Sequence, residues 1–216
     1  MPPPPPPQDR VFIKMDHWFQ RAQAALLGEL PCWRGCHSCC IGPFAITQLD
    51  VAALTHGMGS LAPELRQDIQ EAAQRQVAAM EKAFPHLTES PGVNGWNDGE
   101  VDLIVEKFAD LPCPALSSDG SCRVYPFRPV TCRAMGVPVE EGGMVHGACE
   151  VQIAVPIVKL PRALREEEDR LATAEATMLQ TMSDEVLLPY GFLSGHVPDA
   201  SPVASILDTG VKGMLM

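Results

Sequence analysis

Positive charge is scarce in this sequence: 16 Lys and Arg stand against 27 Asp and Glu, for a formal net charge of −11. A chain of that sign shows no phosphate-neutralising surface, which argues against a nucleic-acid partner. No uninterrupted apolar run reaches membrane-spanning length, so a membrane partner is not expected either. The opening, Met1 followed by Pro2 to Pro7, has neither the basic n-region nor the apolar h-region of a secretory leader, and the expected location is cytoplasmic. There is no G-x-x-x-x-G-K-[ST] loop, no G-x-G-x-x-G turn, no H-E-x-x-H helix and no internal repeat.

What the chain does have is a 46% hydrophobic composition, enough for a real core, together with 21 prolines, 17 glycines and eight cysteines. That mixture predicts a mainly α fold with long irregular Cys/Pro/Gly-rich loops, a small helical domain organised around a metal site. The expected layout is a disordered polyproline tail over 1–8, one metal-binding domain over 9–186 with its cysteine core in 30–150, and an irregular C-terminal tail over 187–216.

Apolar residues Val11, Phe12, Met15, Phe19, Ala22 and Leu26 recur at helical spacing and predict an amphipathic helix from Gln8 to about Gly28. Thr47 and Asp50 form a capping-box pair before a short helix that ends near Gly57 to Gly59. Pro63 suits the first turn of a long helix whose stripe is Leu65, Ile69, Ala72, Val77, Met80 and Phe84. Between Pro85 and Gly99 the Pro, Gly and Asn-Gly signals predict loop throughout, with Trp96 packing into the core. Val101, Ile104, Val105 and Phe108 then favour helix over strand. A small hairpin is expected across residues 137–145, and Val151 to Lys159 reads as extended or as a broken helix. A last strong helix begins near Pro161, with Leu164, Leu171, Ala174, Met178 and Met182 on its apolar face. Beyond Leu187 a wrapped or partly mobile segment is expected.

Cys32, Cys36, Cys39 and Cys40 fall within nine residues, and Cys113, Cys122, Cys132 and Cys149 follow. In a cytoplasmic setting thiols stay reduced, and an adjacent Cys39-Cys40 pair is awkward in a disulfide framework, so metal ligation is favoured over disulfides. Thiolate is the soft donor that selects zinc, copper(I) or iron–sulfur clusters. The two-residue gap between Cys36 and Cys39 is one at which two sulfurs grip a single metal. On an extended backbone Cys39 and Cys40 point to opposite sides, which assigns one of them to a second metal, a bridge or an outer position. All eight cysteines are candidate ligands, in one centre or two, and His17, His37 and His146 are weaker candidates.

Asp119-Gly120 is a turn signal that can bring Cys113 and Cys122 together across a hairpin-like loop. Arg128 and Arg133, with Tyr125, are candidate cofactor-facing residues, because cations near a thiolate centre offset its negative charge or hold an anion. Pairing with carboxylates and capping of loop carbonyls is the structural alternative for the arginines, and packing is the alternative for Tyr125.

These blocks, Cys32, Cys36, Cys39 and Cys40 followed by Cys113-Pro114-x-Leu116, Gly120-Ser121-Cys122-x-x-Tyr125 and Arg128-Pro129-x-x-Cys132-Arg133, resemble the YkgJ-type cysteine-cluster family nicknamed CxxCxxCC, a zinc- or iron-chelating domain by description. The resemblance covers roughly residues 30–135. It implies a bound iron–sulfur cluster, in one form 4Fe-4S, or zinc. Through a related branch, flagellin lysine-N-methylase, it also implies a cluster-dependent methyl-transfer enzyme as an alternative. A third reading is a zinc-stapled protein-interaction module. The Cys32-x3-Cys36-x2-Cys39 spacing is also that of radical S-adenosylmethionine enzymes, but the helix-and-loop pattern does not suit their strand-and-helix barrel.

Overall fold

A computed structural model describes residues 7–26, 35–141, 144–146, 159–179 and 185–193. The fold is mainly helical: α1 (Pro7–Ala25), α2 (Gln48–Ser60), α3 (Pro63–Ala83), α4 (His86–Glu89), α5 (Asp98–Lys107), α6 (Val130–Ala134) and α7 (Arg162–Leu179). Two small antiparallel pairs accompany them: β1 (Ala45–Ile46) with β4 (Val186–Leu187), and the hairpin β2 (Val139–Glu141) with β3 (Met144–His146).

Two apolar clusters organise the helices. In the smaller one, Val11, Met15, Ala22 and Leu26 of the α1 region pack with Val137, Leu160 and Leu171, so α1 lies on α7. Its centre is Trp18, fully buried and donating Nε1–H to the Leu164 carbonyl at 2.7 Å. The apolar stripe read along α1 omits Trp18. A tryptophan that can pass its one polar hydrogen to a backbone carbonyl is buried without penalty.

The larger cluster gathers Val51, Leu54 and Met58 of α2 with Ile69, Ala73, Val77 and Met80 of α3 and Ile104 of α5. Pro63 opens α3, as its missing N–H and fixed φ favour. Ala73 lies in the fully buried line, and the expected Ala72 is only half-buried beside it. The Pro85–Gly99 stretch is not loop throughout. It contains the single turn α4, which buries Leu87, and Trp96 packs with its ring centroid 4.4 Å from that of His86 and 6.2 Å from that of Phe84. In α5 the helical reading holds: Ile104 is buried with Val105 and Phe108 partly buried on its side and Leu103 is 59% exposed, whereas a strand with Val101, Leu103 and Val105 on one face would bury Leu103.

The segment after Glu185 is core. Val186 and Leu187 pair with Ile46 and Ala45, and the following 3-10 turn, Leu188–Phe192, is buried at every residue. A Cβ on Gly191 would stand 2.6 Å from Ile46 Cδ1 and 3.1 Å from Leu54 Cδ1, so a larger residue there would have to displace these side-chain ends. Glycine and proline hide this segment from a periodicity test, because neither helix nor strand spacing develops over so few residues. Residues 1–6, 151–158 and 194–216, on which the expected polyproline tail, extended segment and C-terminal tail fall wholly or in part, lie outside the described residues, as does Met182.

Asp50 joins the clusters. It closes the α2 capping box with Thr47, and its Oδ1 also accepts the Val130 N–H at 2.8 Å, at the start of α6. Glu175 on α7 feels that buried carboxylate. Burial first, then Asp50 and Glu185, push its carboxyl up to about 7. An acid raised above its unfolded value is ionised at a cost, so the penalty is absent near pH 4, grows as the pH rises and is complete above about 7. Glu175→Gln should therefore stabilise the fold at pH 8 by about 1–2 kcal/mol, discounted for the partial exposure of the group, and leave it unchanged near pH 4. Thermal unfolding at the two pH values checks this; equal shifts at both would contradict it.

Candidate metal centre

Three loops converge, and each carries cysteine. The first runs from Gly35 to Gly42. Ser38–Cys40 forms a 3-10 turn closed by the Cys40 N–H donating to the His37 carbonyl at 2.8 Å. Cys39 and Cys40 are thus not on extended backbone, and the expectation that they face opposite sides does not hold. At three residues per turn, neighbours diverge by about 120° instead of 180°.

The second loop, residues 111–124, zips onto the first. The Cys113 N–H donates to the Cys40 carbonyl at 2.7 Å, and the Gly42 N–H donates to Leu111 at 2.7 Å. Gln76 on α3 donates Nε2–H to the Pro112 carbonyl at 2.7 Å, fixing the chain one residue before Cys113. The hairpin-like loop expected between Cys113 and Cys122 is present. Leu116 bridges Cys122, and the Asp119 carboxylate accepts the Ser121 N–H and hydroxyl at 2.9 and 2.6 Å. Gly120 at its tip has φ of +81°, and a Cβ there would lie 2.7 Å from the Gly35 carbonyl oxygen. Both the left-handed backbone and the close approach require glycine, and they press the second loop onto the first.

The third segment is the 3-10 turn Tyr125–Phe127, then Arg128, Pro129 and α6 with Cys132. Phe127 seats against α2 where Gly57 leaves room; a Cβ on Gly57 would fall 2.5 Å from the ring. Arg133, 1% exposed, locks the segment from inside: its Nε–H donates to the Arg128 carbonyl at 2.8 Å, Nη2 donates to Pro126 at 2.7 Å, and Nη1 pairs with Asp16 of α1. Arg133 is therefore a structural buttress, the arrangement set out above as the alternative to a cofactor role. Tyr125 is 56% exposed, with the Arg128 guanidinium 3.7 Å from its ring centroid.

The described cysteines Cys36, Cys39, Cys40, Cys113, Cys122 and Cys132 are free thiols, each partly buried. Cys39, Cys113, Cys122 and Cys132 lie within electrostatic reach of one another in every pairing. Cys40 interacts with three of them. Its thiol hydrogen-bonds to the Cys39 sulfur, and this bond is the main reason the Cys39 thiol falls to about 6; the charges of Arg128 and His37 assist, and burial opposes. Cys40, as the donor, is pushed far up by the same bond and by burial. Burial pushes Cys113 up to about 12, raises Cys122, and raises Cys132 with repulsion from Cys113 and Cys122 added.

The donor set fits a soft metal: thiols from three segments, unbonded to one another, whose ionised forms repel until a cation stands among them. No three His, Cys, Asp or Glu side chains among the described residues stand close enough to hold an ion, so a cation would have to draw these sulfurs together around itself. Cys32 and Cys149 lie outside the described residues. His37 is exposed, with Nδ1 3.1 Å from the Gly35 carbonyl; His17 is exposed on α1; His146 sits in β3 opposite Val139. Asp16, Phe127 over Gly57 and Gln76 all position the site, and none was singled out by the sequence. Each acts across a tertiary contact that leaves no mark on local spacing.

No helix among the described residues is long and apolar enough to cross a membrane. No curated protein and no solved structure matches this chain. A family model described as "CxxCxxCC: Putative zinc- or iron-chelating domain" matches residues 31–150, a span that contains all three converging loops. With more than half of its length inside that match and its free thiols gathered there, the chain belongs to the CxxCxxCC family.

Proposed function

We propose that Cys39, Cys113, Cys122 and Cys132 are the ligands of one metal centre, and that this centre is an iron–sulfur cluster in preference to zinc. The observation that carries the reading is that the loops bearing these four thiols converge, the Cys113 N–H donating to the Cys40 carbonyl at 2.7 Å and Gly120 pressed against Gly35, so that the charge of each thiol reaches the other three. Buried thiols that repel as thiolates are destabilised together, and a cation among them removes both the burial and the repulsion penalties. Cys40 sits at the edge of the group as a hydrogen-bond donor to Cys39, and Cys32, Cys36 and Cys149 extend the supply of thiols.

That surplus favours iron and sulfide. A structural zinc saturates with four ligands, whereas cysteine-rich loops of this density suit a cluster. Such a cluster supplies one-electron chemistry when bound. Unpaired thiols agree with a reducing compartment such as the cytoplasm. Tyr125 and Arg128 stand at the rim, and Arg133 holds the rim in place.

Purification without oxygen, followed by a visible spectrum and assays for iron, zinc and acid-labile sulfide, tests the reading. A brown protein with iron and sulfide is expected. A colourless protein with stoichiometric zinc would remove the cluster and keep the metal site; disulfides and no metal would overturn both.

A further inference from the structure

Arg128 lies between the 3-10 turn at Tyr125–Phe127 and Pro129, four residues before Cys132. Its carbonyl is taken by Arg133, but its guanidinium donates no hydrogen bond to any described residue, and Nε is buried without a partner. The nearest carboxylate, Asp16, stands 3.8 Å from Nη2, beyond hydrogen-bond length, and its other oxygen is engaged by Arg133. Arg165 also has a buried Nε without a partner, yet its fork is otherwise filled by Glu168 and the Pro138 carbonyl.

A buried guanidinium donor is not left idle without cost. The guanidinium carbon lies 3.7 Å from the Tyr125 ring centroid, a cation–π contact that uses none of its N–H groups. Besides Asp16, its field reaches sulfur: the Arg128 charge acts on Cys39, Cys122 and Cys132. A ligating thiolate keeps negative charge after it binds a metal and accepts N–H hydrogen bonds, so a buried, otherwise unused donor whose charge reaches three such sulfurs has a natural acceptor among them.

We propose that Arg128 is the positioning residue of the metal centre, its buried Nε–H reserved as the hydrogen-bond donor to a metal-bound sulfur of the Cys39, Cys122 and Cys132 group. The inference rests on the thiolate–metal reading above and adds to it a residue that tunes the sulfur. The hydrogen bond draws electron density from the thiolate, which raises the energy of charge transfer from sulfur to metal, and it supports metal binding by favouring the ionised, oriented sulfur and offsetting the negative charge of the thiolates around it. Lysine would keep the charge but not the planar fork.

The test is anaerobic titration of the full chain with Co²⁺, followed through the thiolate-to-cobalt charge-transfer band. Arg128→Met should bind Co²⁺ about 10–100-fold more weakly than the unaltered protein, with the band moved to lower energy. Arg128→Lys should recover part of the affinity but keep the lower-energy band, and it carries the test if the Met variant does not fold. Unaltered affinity and band position in Arg128→Lys, or in a folded Arg128→Met, would overturn the inference while leaving the metal centre intact. No charge-transfer band in the unaltered protein would instead remove the thiolate–metal reading on which it rests.

Discussion

Cys132→Ser should strip the protein of its metal while leaving the apo fold close to intact. Cys132 rides on α6, whose first N–H is tied to Asp50 and whose next residue, Arg133, is locked to α1 and to the preceding turn. Its sulfur is thus presented by a rigid element to Cys39, Cys113 and Cys122, with all of which it interacts. Changes to groups that merely support a ligand cost about 10–100-fold in affinity, so loss of a ligand itself should cost more than about 100-fold. Serine is nearly isosteric and makes no comparable bond to a soft metal at neutral pH. Cys113→Ser should behave alike, and Cys40→Ser should cost less, because Cys40 acts through its hydrogen bond to Cys39. Chelator competition under anaerobic conditions measures the affinities, and circular dichroism of the metal-free protein checks the fold. Full metal retention by both the Cys113 and Cys132 variants would remove these two residues from the ligand set.

Arg133→Met should be the most damaging single change to the apo fold. The guanidinium is 1% exposed and spends its hydrogens on two backbone carbonyls and Asp16. Methionine fills much of the volume but leaves the carbonyls of Pro126 and Arg128 without their donor and Asp16 without its nearest cation. Leaving the two backbone carbonyls without donors carries most of the cost, because Asp16 is 37% exposed and keeps Arg128 at 3.8 Å; a total of about 3 kcal/mol is expected, which for a chain of this length lowers the unfolding temperature by roughly 10 °C. Arg133→Lys should rescue little, since one ammonium cannot reproduce a fork that serves three acceptors in different directions. Metal affinity should fall as well, because the same contacts hold Arg128 and Cys132. Urea unfolding of the metal-free variant is the direct measurement, and a loss under 1 kcal/mol would show that the network is not needed.

Local rules were readable wherever one stretch of chain settles the matter. The α1 stripe, the Thr47–Asp50 capping box, the opening of α3 at Pro63, the helical reading of α5 and the Asp119-Gly120 turn each depend on spacing within a few residues, and each is present. The single turn at α4 and the buried turn at Leu188–Phe192 escaped because they are too short to develop a period. The backbone of the Cys39-Cys40 doublet differs from the extended one expected for a related reason: a three-residue 3-10 turn announces itself by no pattern.

By itself, the sequence determined the chemistry on offer: eight thiols in two blocks, the order and residues of the family motif, a helical frame and a net charge of −11. Only the tertiary structure decided which cysteine-bearing loops converge and what the arginines contact. Cys39 and Cys113 are neighbours because Cys40 and Cys113 share a backbone hydrogen bond and Gly120 lets two loops touch. Arg133 is a buttress and Arg128 an unspent donor because Asp16, more than a hundred residues earlier, engages one closely and the other only at 3.8 Å. Such outcomes are set by distances between remote segments, and those distances result from burying both apolar clusters at once, a property of the whole chain that no local window contains.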